Sequence, residues 1–203
     1  MFNFPLKVCE NLVNFDPECT HFVCEKPNRG EKMLGCISSG KWVLSLKYIE
    51  ECFAKDVFVD EELYEWGNCK ALNLPQLSPD EQVIASAAHR WRKQLAANTQ
   101  GTSNGAFTGI KAILRISGRN IDALKNVIKA GQGVIVEATS PYATCPEAAM
   151  VTHCFVDVKK CPLNADDYAF FKSHNIFVLS QMYINAFLMN GADVDMLKYA
   201  VTM

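Results

Sequence analysis

Short apolar runs alternate along the chain with segments whose apolar residues recur every three or four positions. The runs Phe22–Cys24 and Lys41–Leu44 predict buried strands, and the mixed segment between them, residues 31–38, can form a helix. A second helix is predicted to open at Ser45, because a serine hydroxyl can accept a hydrogen bond from a first-turn N–H. The predicted buried face of that helix carries Tyr48, Ile49, Cys52 and Phe53.

The same pattern occurs a second time, in the same order and at a nearly constant offset. Thr20-His21-Phe22-Val23 returns as Thr152-His153-Cys154-Phe155, and Val43–Ile49 returns as Val178–Ile184. The second copy is predicted to contain strands Cys154–Val158 and Ile176–Leu179, a helical segment over residues 164–173, and a helix from Ser180 with Tyr183, Ile184, Phe187 and Leu188 on one face. A repeat this long indicates two copies of a whole domain rather than a short-period solenoid.

The second copy has a front end that the first copy lacks. Strand Gly109–Ile116, helix Asn120–Ala130 and strand Val134–Val136 complete the order β-α-β-β-α-β-α, which predicts a parallel sheet flanked by helices. Before Thr20 the first copy offers only one candidate strand, Leu6–Cys9. Either the chain is a fragment of a longer protein or the first domain has lost its opening strand and helix. We favour the fragment, because an exposed central strand edge promotes aggregation.

Three regions follow from this pattern: a first domain over residues 1–67 that is incomplete at its N-terminus, a linker over 68–105, and a second domain over 106–203. Within the linker, Ser78, Pro79 and Glu81 have the spacing of a capping box with proline at the first helical position. We therefore predict a linker helix over about residues 79–97.

Composition narrows the possible functions. The net charge is −2 and the pI is about 6.1, which lowers the expectation of a surface that binds nucleic acid along its whole length. Nine cysteines, an odd number without CxxC pairs, predict reduced thiols and a reducing compartment. No apolar run reaches the roughly 18 residues of a membrane helix, and no secretory signal pattern is visible at the N-terminus. We expect no membrane association.

The sequence does not predict an enzyme. Its histidines, at positions 21, 89, 153 and 174, are scattered, and His21 and His153 occupy equivalent strand positions. There is no glycine-rich phosphate loop, HExxH motif or nucleophile elbow. We expect no catalytic residue, metal site, cofactor or small-molecule substrate.

Several segments give the chain a family resemblance. They are Thr20-His21-Phe22-Val23, Gly40-Lys41-Trp42-Val43-Leu44-Ser45, Tyr48-Ile49-Glu50 and Phe58-Val59-Asp60-Glu61. Together with the repeat, they resemble a tandem pair of BRCT domains. The resemblance implies two α/β domains, each a four-stranded parallel sheet flanked by three helices, the first without its opening strand and helix, joined by a helical linker.

Other segments are more specific, above all Tyr64-Glu65-Trp66-Gly67 and Arg90-Trp91-Arg92-Lys93. With them the chain looks like the C-terminal BRCT pair of the topoisomerase II-binding protein family. That resemblance implies a non-enzymatic nuclear scaffold for DNA replication initiation, DNA repair and checkpoint signalling. Its implied partners are phosphorylated nuclear proteins of the repair and checkpoint machinery.

The resemblance also implies a phosphate site. BRCT domains of this kind hold phosphate with a Ser or Thr that ends the first strand, the N–H of the following glycine, and a lysine on the second helix. Alignment places Lys32 at the lysine position, with Arg29 and Gly30 at the helix start. A dianion there would gain from oriented N–H groups and charge-assisted hydrogen bonds. The first copy departs from the pattern, because its Ser-Gly pair is absent.

The second copy shows the opposite departure. Ser117 and Gly118 stand where the family has its phosphate-binding pair, but alignment places Asp167 at the lysine position, next to Asp166. A carboxylate there would repel phosphate, so a plain strand-to-helix turn is the favoured interpretation of Ser117 and Gly118.

Two other binding functions remain open. Arg90, Arg92 and Lys93 could contact the phosphates of a DNA end or branched DNA, with Trp91 stacking on a base. The favoured alternative for this run is that Trp91 packs inward while the cations remain in solvent. A phosphate-independent protein-interaction platform is the third possibility.

Overall fold

The computed structural model describes residues 15–97, 104–118 and 120–202. The chain divides into two compact units, one up to Ala106 and the other from Phe107. The predicted strand Leu6–Cys9 and most of the predicted polar stretch 98–105 lie outside the described residues.

The described residues of the first unit form two parallel strands and three helices. In chain order they are β1 (His21–Cys24), α1 (Glu31–Ser39), β2 (Trp42–Ser45), α2 (Leu46–Lys55) and α3 (Pro79–Ala97), with a 3-10 turn at Glu61–Leu63. Phe22 lies opposite Val43 in the parallel register. The strands and helices predicted for the first copy are therefore confirmed to within one or two residues at each end.

The segment Tyr64–Trp66 covers the other edge of β2. The Ser45 N–H donates to the Tyr64 carbonyl (3.0 Å), and the Trp66 N–H donates to the Val43 carbonyl (2.9 Å). The second unit repeats this contact, since the Val201 N–H donates to the Val178 carbonyl (3.0 Å). The two units therefore also share a segment that pairs with their last strand, a similarity that the sequence matches did not include.

Two local predictions for α2 are wrong. Tyr48 and Cys52 pack on Leu44 as expected, but Phe53 is 51% exposed. Phe53 is rotated by about 100° around the helix axis from the buried Cys52. Ser45 occupies the N-cap position, yet its hydroxyl makes no cap bond and has no hydrogen-bond partner among the described residues. Ser45 is the last residue of β2 and is 2% exposed.

The predicted capping box at the start of α3 is confirmed. The Ser78 N–H donates to Glu81 Oε2 (2.7 Å), and the Glu81 N–H donates to Ser78 Oγ (3.4 Å). The helix ends at Ala97, where the sequence predicted. Its small and apolar residues pack against α1 and β2, so this helix of the predicted linker belongs to the first compact unit. The buried residues of α3 are Ile84, Ala85, Ala87, Ala88, Trp91 and Arg92.

A buried carboxylate joins α3 to the rest of the first unit. Glu65 is 1% exposed and accepts hydrogen bonds from Arg92 Nε (2.5 Å) and Arg92 Nη2 (2.7 Å). His89 Nδ1 (2.8 Å) and Asn68 Nδ2 (3.0 Å) approach its second oxygen. The Arg92 guanidinium lies 3.6 Å from the centre of the Trp42 ring, a cation–π contact with β2.

The second unit has the complete predicted order. Its elements are β3 (Lys111–Arg115), α4 (Asn120–Ala130), β4 (Val134–Ile135), β5 (His153–Val156), α5 (Ala165–Ser173), β6 (Phe177–Ser180) and α6 (Met182–Asn190), with 3-10 turns at Tyr142–Thr144, Pro146–Met150, Gly191–Asp193 and Met196–Tyr199. All strand pairs are parallel, and the sheet order is β4-β3-β5-β6. Ile113, Cys154 and Val178 form its core with Phe171.

His21 and His153 occupy equivalent positions at the starts of β1 and β5. Each ring nitrogen Nδ1 lies beside the hydroxyl of the preceding threonine, at 2.7 Å from Thr20 and 2.8 Å from Thr152. The His153 ring also contacts Phe155 and Phe177. Burial lowers the pKa of His153 from 6.5 to about 4. These contacts support a structural role for both histidines.

We expect Glu65→Gln to lower the free energy of unfolding by about 3–5 kcal/mol, because it leaves the Arg92 charge buried and uncompensated. Urea unfolding followed by circular dichroism measures the change. The control is Glu62→Gln, which removes a surface pair with Lys70 and should leave the unfolding midpoint almost unchanged. Equal effects of the two substitutions would contradict the role assigned to Glu65.

We expect His153 to lower the free energy of unfolding as the pH falls. Since its folded pKa of about 4 lies below the ordinary 6.5, the unfolded chain binds the proton more readily. The contribution is complete above pH 6.5 and is lost as the pH falls towards 4. Unfolding free energies at pH 7.5 and pH 5.0 should differ less in His153→Phe than in the wild type. The same pH difference in both proteins would refute this assignment.

Candidate phosphate-binding site

The start of α1 is an open helix N-terminus. Gly30 holds the N-cap position in an extended conformation, and no side chain caps the helix. The Leu34 N–H donates to the Gly30 carbonyl (3.0 Å), which is the first bond of the helix. The Gly30 N–H donates to Asn28 Oδ1 (2.8 Å), which shapes the loop before the helix. The N–H groups of the first turn therefore carry the positive end of the helix dipole without a side-chain acceptor from the cap.

Two cations flank this helix start. Arg29 is exposed in the loop, and Lys32 is partly exposed in the first turn. Glu31 lies between them, and its Oε1 accepts a weak hydrogen bond from the Phe15 N–H (3.4 Å). The structure thus brings Arg29, Gly30 and Lys32 together at one helix N-terminus, with one carboxylate beside two cationic side chains.

The equivalent helix of the second unit has a different start. Asn164 caps α5, since its Oδ1 accepts from the Asp167 N–H (2.7 Å). Asp167 is 3% exposed, and it accepts hydrogen bonds from the Tyr142 N–H (3.2 Å) and from Asn164 Nδ2 (3.0 Å). Its carboxylate is part of the core of this unit. The Asn164 cap was not recognised from the sequence, although asparagine three residues before an aspartate is a helix-start pattern.

Ser117 and Gly118 form the predicted turn between β3 and α4. Gly118 has a φ of 95°, and a Cβ built on it would meet open space. The backbone conformation, rather than crowding, therefore explains the glycine. The Gly118 carbonyl accepts from the Ile121 N–H (3.4 Å) at the start of α4. The family pattern requires a lysine on the second helix of the domain, here α5, and the alignment places the buried carboxylate of Asp167 at that position.

The basic run on α3 does not form one exposed surface. Trp91 and Arg92 are both buried, each 8% exposed, and Arg92 is held by Glu65. This contradicts the assignment of Arg92 to a DNA contact, and also the expectation that all the cations of the run stay in solvent. Arg90 is partly buried, whereas Lys93 is exposed, with its Nζ 3.8 Å from Glu62. The sequence offered no signal for the buried Glu65 that captures Arg92.

The described residues contain no group of three or more His, Cys, Asp or Glu side chains placed to hold a metal ion. None of the helices within them has the length and apolar character needed to cross a bilayer.

Comparison with known proteins identifies the fold. The fifth and sixth BRCT domains of Brc1 from S. pombe superpose with a TM-score of 0.56 at 17% identity, covering 85% of this chain and 78% of that structure. With the parallel sheet of the second unit and the matching elements of the first, this defines the chain as a tandem BRCT fold. No family model matches the sequence.

Two curated proteins align with much of the chain. One is the SMC5-SMC6 complex localization factor protein 1 of Mus musculus, 35% identical over 125 residues, or 61% of this chain and 11% of that protein. The other is a BRCT domain-containing protein of Arabidopsis thaliana, 27% identical over 138 residues, or 67% of this chain and 10% of that protein. The aligned region spans only about a tenth of the length of these relatives.

We expect Asp167→Ala to lower the free energy of unfolding by about 1–3 kcal/mol, because it leaves the buried Tyr142 N–H without an acceptor. Its neighbour Asp166 is exposed and supplies a matched control. Asp166→Ala should cost less than about 1 kcal/mol, the value of a carboxylate near a helix N-terminus. Thermal unfolding of both variants tests the assignment, and an Asp166→Ala loss as large as that of Asp167→Ala would refute it.

Proposed function

We propose that the chain is a non-enzymatic scaffold module that binds phosphorylated protein partners at the start of α1. The supporting observation is the contrast between two equivalent helices. The start of α5 is capped by Asn164 and carries two carboxylates, whereas the start of α1 lacks a side-chain cap and is flanked by Arg29 and Lys32. A phosphorylated ligand can take the place of a side-chain cap at α1, whereas Asn164 already occupies that place at α5.

The energetics favour a phosphorylated residue over its unmodified form. A phosphate carries a charge of about −1.5 to −2 at neutral pH and three strong acceptor oxygens. Each charge-assisted hydrogen bond to a lysine, an arginine or a helix N–H contributes about 1.5–3 kcal/mol. Two such bonds contribute about 3–6 kcal/mol, compared with about 8 kcal/mol for a micromolar affinity.

The resemblance to DNA topoisomerase II-binding protein 1 gives the proposal its biological setting. We infer that the module acts in the nucleus, in DNA replication initiation, DNA repair and checkpoint signalling. The kinship with a protein named for localizing the SMC5-SMC6 complex supports a role in genome maintenance. On this proposal the partners are phosphorylated proteins of the repair and checkpoint machinery, and the Lys32 site selects them.

We expect Lys32→Glu to weaken phosphopeptide binding at least tenfold, since it replaces an attractive charge with a repulsive one. Screening of a phosphoserine and phosphothreonine peptide library selects the probe, and fluorescence anisotropy then measures its affinity. Lys172→Glu is the matched control, because it makes the same charge change in the last turn of α5. The control variant should bind like the wild type, and Lys32→Arg should retain most of the affinity.

The unphosphorylated form of the same peptide separates the competing functions. Equal binding of both forms would replace the proposal with a phosphate-independent interaction platform. Salt-dependent binding of a branched DNA probe that is lost in Lys93→Glu but kept in Lys32→Glu would instead favour nucleic-acid recognition through α3.

A further inference from the structure

Two cysteines of the first unit are brought together by its backbone. The Lys41 N–H donates to the Cys36 carbonyl (2.9 Å), and the Trp42 N–H donates to the Thr20 carbonyl (3.2 Å). Cys36 at the end of α1 and Cys19 before β1 therefore flank the same short segment. The two side chains are close enough to influence each other's ionisation, and the Lys41 ammonium group acts on both.

The two thiols have complementary surroundings. Cys19 is partly exposed in the turn that leads into β1, whereas Cys36 is buried in the helix. The hydrogen bond from Cys36 and the charge of Lys41 lower the pKa of Cys19. The same hydrogen bond, together with burial, raises the pKa of Cys36. A partly exposed thiol with a lowered pKa, beside a cation and a second thiol, is the arrangement of a peroxide-sensitive pair.

The other cysteines that the structure describes in this unit do not share that arrangement. Burial raises the pKa of Cys24 to about 12, which keeps its thiol protonated and unreactive. Cys52 is buried in the core, and Cys69 is exposed. Exposure alone therefore does not distinguish Cys19, because Cys69 is more exposed; its distinguishing feature is the neighbouring thiol.

We propose that Cys19 and Cys36 form a redox modification site that hydrogen peroxide converts into a disulfide. The Cys19 thiolate attacks one peroxide oxygen, an S–O bond forms, the O–O bond breaks, and the departing hydroxide takes a proton to become water. The Cys36 sulfur then attacks the Cys19 sulfur. The S–S bond forms as the S–O bond breaks, and the second hydroxide accepts the Cys36 proton. Two thiols and one peroxide give one disulfide and two waters.

The disulfide would tie α1 to the segment before β1. An S–S bond of about 2.05 Å is shorter than any hydrogen-bonded sulfur contact, so the two segments must approach. Cys19 lies outside the strands and helices, so this approach does not require a strand or helix that contains Cys19 to break. The expected consequence is slower amide exchange in α1, and reduction by a dithiol restores the starting state.

The test is treatment of the whole reduced chain with hydrogen peroxide. We expect the nine free thiols, counted with Ellman's reagent after denaturation, to fall by two. Digestion without reductant should then give a disulfide-linked peptide pair, with fragment ions that assign the link to Cys19 rather than to Cys24. Amide exchange over residues 31–39 should slow at least threefold on oxidation.

Variants separate this pair from general oxidation. Cys19→Ser should lose no thiol pair at the same dose, whereas the matched variant Cys69→Ser should still lose two. The disulfide-linked peptides are identified in the wild-type chain, so that measurement remains valid even if a substitution impairs folding. A link that involves Cys9 or Cys24, or sulfinic acid at Cys19 without any disulfide, would overturn the proposal.

Discussion

The buried ion pair between Glu65 and Arg92 organises the first unit. Glu65 lies on the segment that pairs with β2, and Arg92 lies on α3, which packs against both β2 and α1. An unpaired charge in that position would be strongly destabilising, so the pair fixes α3 in one register against the sheet. Because α1 rests on α3, the helix that carries Lys32 depends on this interaction, although neither charge touches the site.

The internal repeat makes the first unit interpretable by comparison with the second. The two copies share strand register, the histidine at the strand start and the extended segment that covers the last strand. The two copies differ at the helix starts, since the Asn164 side chain caps α5 whereas α1 begins at Gly30 without a side-chain cap. Because the two domains share a fold, the start of α5 can be compared directly with the start of α1 to ask which of them suits a ligand.

Features set by residues close together in the sequence could be predicted, whereas contacts between distant residues could not. The start of α3 was predictable because a capping box is made by residues three positions apart. The burial of Arg92 was not, because it depends on a carboxylate 27 positions away. The candidate site falls between these cases. The resemblance placed Lys32 at the start of a helix, but only the structure shows that this start lacks a cap.

The proposed phosphate site and the proposed disulfide both involve α1, and this imposes a thermodynamic condition. Lys32 and Cys36 are one turn apart on the same face of a nine-residue helix. If joining Cys36 to Cys19 changes the affinity of the helix start for a phosphorylated ligand, the bound ligand must change the reduction potential of the pair to the same extent in free energy. Binding and oxidation are then independent only if the disulfide leaves the first turn of α1 unchanged.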